Sequence, residues 1–76
     1  MDPIAAKYLA AGICMGLGAW GPAVAEGYVA ARAIEGSARN PEMADKLFTN
    51  SVVFMAICES TGIYALVVSL IILFAA

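Results

Sequence analysis

Two apolar runs, Tyr8 to Ala31 and Leu47 to Ala76, limit what this chain can fold into more than any other feature of it. Each is longer than the roughly 20 residues that carry an α-helix across a bilayer core about 30 Å thick. Between them lies a polar stretch containing Arg32, Glu35, Arg39, Glu42, Asp45 and Lys46. A soluble domain of 76 residues needs polar side chains to cover its outside, and here 63% of residues are hydrophobic and only 13% charged. The expected fold is therefore an all-α membrane protein, a two-transmembrane-helix antiparallel hairpin.

Local signals set its bounds. Asp2-Pro3 reads as a capping acid followed by proline at the first helical position. Asn40-Pro41 is the strongest break, because a residue before proline disfavours α geometry, and Asn40 can cap the second helix. The chain is then one hairpin over 1–76, with helix one at about 3–38, a polar loop at about 39–42 and helix two at about 43–76. Pro22, inside helix one, frees the carbonyl of Gly18 and is a possible kink site. Arg32, Arg39 and Lys46, three of the four basic residues, lie in or beside the loop, which predicts a cytoplasmic loop and external termini. The N-terminus lacks the positive region of a cleavable signal, so helix one is expected to be retained. Four basic residues with no basic patch disfavour nucleic acid as a partner. Cys14 and Cys58 fall at different depths of a hairpin and are expected as packing residues rather than a disulfide.

Glu59 is the only charged side chain between Leu47 and Ala76. An acid at the centre of a membrane helix costs about 2.5–3.5 kcal/mol on insertion scales. Ser60, Thr61 and Tyr64 place hydroxyls within a turn and a half of it. Glu26 is the corresponding acid of the first run. A hairpin folded about a centre between Glu42 and Met43 sets Glu26 beside Glu59, each roughly 25 Å along its helix from the turn. The two could be unrelated polar residues. However, charges inside a membrane usually pair or mark an ion pathway. Two adjacent carboxylates cannot both ionise cheaply without a cation, so such a site exchanges protons for a metal ion. With no His and no nucleophile–base pair, catalysis by this chain alone is not expected.

Small residues alternate from Ala19 to Gly27. Ala19, Ala23 and Gly27 form one stripe, and Gly21 and Ala25 form another nearly opposite. Small residues let membrane helices approach closely, and two opposed stripes suit a helix with an equivalent neighbour on each side. A repeated head-to-tail contact closes into a ring. The plainer alternative is the Gly/Ala richness common in membrane helices.

In combination these features resemble the c subunit of F-type ATP synthases, whose hairpins form a membrane rotor ring. The resemblance covers nearly the whole chain. Ala19–Gly27 is similar to the family's alternating glycine motif, with Ala19, Ala23 and Ala25 where glycine is frequent. Ala38-Arg39-Asn40-Pro41 is similar to its loop signature, with Asn40 where many members have Gln. Glu59-Ser60-Thr61-Gly62-Ile63-Tyr64 resembles the version in sodium-translocating members, and Glu26 resembles their two-carboxylate variant.

The resemblance implies a non-catalytic, ion-translocating protein of a bacterial inner (plasma) membrane, with no organic cofactor. Its implied partners are identical hairpins in the ring, the stator's a subunit, the gamma and epsilon subunits of the central stalk, and membrane lipid. Glu59 is implied as the main ligand of Na+, aided by Glu26, the Ser60 hydroxyl and the Ile57 carbonyl, the last two from the neighbouring hairpin. Tyr64 is implied to hydrogen-bond Glu59, Thr61 to help hold a water, and Arg39, Asn40 and Pro41 to touch the stalk. H+ is the alternative coupling ion, since the same oxygens bind protons. Other readings are a pore-forming or holin-like hairpin, which has no reason to set two acids and three hydroxyls at one depth, and a small multidrug exporter, normally of four spans. A purely structural hairpin leaves both acids unexplained.

Overall fold

The computed structural model describes residues 1–75. Helix α1 spans Pro3–Arg39, a 3-10 turn spans Pro41–Met43, and helix α2 spans Ala44–Phe74. The last residue of the expected second helix, 76, lies outside the described residues. At 37 and 31 residues the helices outrun a bilayer core, so their loop ends project beyond it. The hairpin is 58 Å long and 18 × 8 Å in cross-section, a rod two helices wide.

Asp2 caps α1, accepting from the Ile4 amide at 3.0 Å, with Pro3 in the first turn where its missing N–H is not needed. The helix ends at Asn40, whose backbone (φ −140°, ψ 83°) is the extended form that a following proline favours. Asn40 does not cap the second helix with its side chain as the sequence suggested. Its backbone carbonyl accepts from Met43 N at 3.0 Å, closing the 3-10 turn, and its side chain makes no capping bond. Helix α1 runs unbroken through Pro22, which is buried against α2.

The seam between the helices is made of small groups. Ala11, Pro22, Ser51, Gly62 and Ser69 are buried, while Trp20, Leu17 and Phe48 remain about two-thirds exposed. Large apolar side chains facing outward along both helices belong against lipid or other protein, as two membrane-length apolar helices require. At Gly18 the helices meet so closely that an added Cβ would collide with the Cβ of Ala65. Glycine is needed there for close approach. At Gly36 the Leu47 side chain lies 3.1 Å from the same position.

Polar bonds cross the seam as well. Ser69 Oγ donates across it to Ala11 O at 3.2 Å while also bonding Ala65 O of its own helix at 2.8 Å, and Cys14 Sγ approaches Ala65 O across the seam at 3.7 Å. Interhelical bonds of this kind average about 0.6 kcal/mol in a membrane. Cys14 and Cys58 are both free thiols. The facing pairs Gly18–Ala65 and Gly36–Leu47 put the fold centre between Pro41 and Glu42, one residue earlier than the centre inferred from sequence.

Candidate ion-binding site

Glu26 on α1 and Glu59 on α2 bring their carboxyl groups within hydrogen-bonding reach of each other. The one-residue change of centre offsets their backbones slightly, and two flexible side chains close the gap. Beneath them Gly62, buried in the seam, leaves room: a Cβ there would lie 3.7 Å from Glu59 Oε1. Neither acid forms an ion pair with a basic residue among the described residues; the two salt bridges, Arg32–Glu35 and Arg39–Glu35, lie nearer the loop. Such a pair is stable at membrane depth when a proton lies between the two groups or a cation joins them.

The other oxygens expected at the site occupy a different part of α2. Ser60 Oγ donates to Ile57 O at 2.6 Å, so these two oxygens are held side by side. At 100° per residue Ile57 and Thr61 each lie about 200° around the helix from Glu59, Tyr64 about 140° and Ser60 about 100°. Thr61 lines a groove of about 300 Å³ with Gly21, Pro22, Ala25 and Cys58. Tyr64 is 70% exposed, and among the described residues no hydrogen bond joins it to Glu59 of the same chain. One hairpin therefore joins Glu26 to Glu59 and carries Ile57, Ser60, Thr61 and Tyr64 elsewhere on α2.

The small-residue stripes stay largely outside the seam. A Cβ added at Gly21 or Gly27 would meet nothing within 4 Å, Ala23 is exposed, Ala19 is half-buried, and Ala25 lines the groove beside Thr61. Gly12 and Gly16 are equally open and carry the Ala19–Ala23 stripe toward the N-terminus. Sequence reasoning missed these two, although their four-residue spacing is visible in the chain. It also missed Gly18 and Gly62. The loop residues Arg39, Asn40 and Pro41 are exposed, and Arg39 is tied to Glu35 at 2.8 Å.

The family of ATP synthase c subunits matches residues 9–72. The c subunit of the ATP synthase of Petrotoga mobilis is 53% identical over 90% of this chain and 71% of its own length. That of a Synechococcus species is 48% identical over 99% of this chain and 95% of its own. That of Dehalococcoides mccartyi is 42% identical over the full length of both. Two long apolar helices agree with these matches, and the chain belongs to the family of ATP synthase c subunits, the ion-translocating, non-catalytic components of a membrane rotor.

Proposed function

We propose that this chain carries Na+ on Glu59 and Glu26 and couples its passage to rotation of a ring of identical hairpins. The observation that carries the reading is the approach of the two carboxyl groups, with no basic partner among the described residues, within the apolar part of the hairpin. Two carboxylates, one Na+ and one retained proton sum to zero charge, and a neutral site can pass lipid, which an unpaired charge cannot do cheaply. The Ser60 hydroxyl and Ile57 carbonyl, 2.6 Å apart, supply two more hard oxygens to the Glu59 of a neighbouring hairpin. Tyr64, exposed and free to turn outward, holds that neighbour's Glu59 closed, and Thr61 holds a water.

In the complex, the ion enters by a half-channel in the stator's a subunit, neutralises Glu59 and travels most of a turn before release. One charge crossing 100 mV yields about 2.3 kcal/mol. The loop, with Arg39, Asn40 and Pro41 exposed, faces the cytoplasm and engages the gamma and epsilon subunits of the central stalk, while both termini lie outside.

A second reading has a specific observation in its favour: two carboxyl groups in hydrogen-bonding reach are also a good proton carrier, with H+ as the coupling ion. Carbodiimide modification of Glu59 in isolated rings separates the two. Na+ at neutral to alkaline pH is expected to slow the modification. If Na+ gives no protection there, the sodium assignment fails and the proton reading stands.

A further inference from the structure

The Glu59 carboxyl lies where a side chain at position 62 would lie. A Cβ built on Gly62 would stand 3.7 Å from Glu59 Oε1 and 3.9 Å from both Cδ and Oε2 of the same residue. Near-equal distances to all three atoms set that carbon over the flat face of the carboxyl group. The lone pairs in its plane, which take a proton or a cation, stay clear of it. The other glycines differ: Gly12, Gly16, Gly21 and Gly27 have nothing within 4 Å of the missing side chain, and Gly18 and Gly36 face apolar carbons. Gly62 alone faces an acid, and it is buried in the seam.

Helical side chains lean toward the N-terminus of their own helix and cover the preceding turn. In an antiparallel hairpin that rule sends Glu26 away from the loop and Glu59 toward it. Glu59 departs from the rule. Its carboxyl is turned toward Gly62, three residues nearer the C-terminus, and comes within hydrogen-bonding reach of Glu26. A longer side chain at position 62 would itself lean over Cys58 and Glu59, into the volume that the carboxyl fills. A methyl alone makes ordinary contact at these distances and displaces nothing.

We infer that Gly62 is a positioning residue of the ion site: its missing side chain is the seat that turns Glu59 toward Glu26. This rests on the reading of Glu26 and Glu59 as the ion site and not on which ion they carry. The seat sets a size limit at position 62. Alanine fits beneath the carboxyl. Valine, whose branch is held close to the backbone in one preferred rotamer, does not.

The test follows carbodiimide modification of Glu59 in isolated rings, with and without Na+, read by mass spectrometry. Without Na+, Gly62→Val is expected to react about tenfold faster than the parent chain, the equivalent of one lost hydrogen bond holding the acid in the seam. With Na+, the half-protecting concentration is expected to rise by about the same factor. Gly62→Ala is expected to stay within about twofold of the parent in both. In a Glu26→Leu background, where the partner is already gone, Gly62→Val is expected to add nothing. Gly18→Ala, which crowds the same seam at Ala65, is expected to leave both readings at the parent's values. If Gly62→Val hairpins do not assemble alone, rings mixed with the parent chain are used, since the added mass of valine separates the two chains in the spectrum. Should Na+ fail to protect the parent, the sodium reading falls, and the rate without Na+ still decides the inference. An unchanged or slower rate in assembled Gly62→Val hairpins, the same change from Gly18→Ala, or a full Gly62→Val effect in the absence of Glu26 would each overturn it.

Discussion

Ser60 Oγ donates to the carbonyl of Ile57 at 2.6 Å, a bond within α2, and among the described residues neither oxygen bonds to α1. Both oxygens are thus positioned by their own helix while their remaining lone pairs stay available to a neighbour. In the proposed site they complete the cation shell that Glu26 and Glu59 begin, and the residue to perturb is the one that supplies only a hydroxyl.

Ser60→Ala removes one neutral oxygen ligand and leaves both acids. A lost hydrogen bond or neutral ligand costs about 1–1.5 kcal/mol, or close to tenfold in affinity. The concentration of Na+ that half-protects Glu59 from carbodiimide is expected to rise by about that factor, with ring assembly unchanged. An unaltered Na+ requirement would remove Ser60 from the site.

Glu26 is tested by two substitutions that differ in their oxygen. Glu26→Gln keeps a carbonyl oxygen facing Glu59 and is expected to retain Na+ protection within about threefold, while Glu26→Leu is expected to lose about tenfold or more, as a missing ligand oxygen does. Equal behaviour of the two variants in the protection assay would make Glu26 a bystander.

Gly18→Ala places a methyl against Ala65. Overpacking of a close seam costs about 1–3 kcal/mol. The ring is expected to dissociate at lower temperature on gel electrophoresis, and Ala65→Gly in the same chain is expected to restore it. A Gly18→Ala ring of undiminished thermal resistance would show that the helices have room to part.

The acid pair is legible in the chain because Asn40-Pro41 fixes the turn closely and Glu side chains absorb a residue of error. The centre is displaced because Pro41–Met43 forms a 3-10 turn, which rises about 2.0 Å per residue against 1.5 Å in an α-helix. That extra rise carries α2 farther from the turn and pairs its residues with lower-numbered positions of α1. Asn40 is not the side-chain cap its residue type suggests, because its extended backbone already stops α1 and leaves a carbonyl to close the turn. Gly18 cannot be distinguished from Gly12, Gly16, Gly21 and Gly27 by sequence. All are small residues in one helix, and only the approach of a second backbone identifies the position where a methyl does not fit. Nor does spacing along α2 say whether Ile57, Ser60 and Tyr64 meet Glu59 of their own chain or, as proposed, that of a neighbour.

Glu59→Gln keeps the size and most of the polarity of the side chain but cannot exchange an ion. Assembled rings are expected, with ion transport coupled to ATP hydrolysis reduced to background in membrane vesicles. Retained coupled transport would contradict the assignment of Glu59 as the carrier.

The most direct measurement is a map of the intact ring, at a resolution that shows single ions, recorded with and without Na+ at neutral to alkaline pH. The expected result is density that appears with Na+ between the Glu26 and Glu59 carboxyl groups of one hairpin and the Ser60 hydroxyl and Ile57 carbonyl of the next. An ion-free space there in the presence of Na+, or Glu26 and Glu59 turned away from each other in the ring, would contradict it.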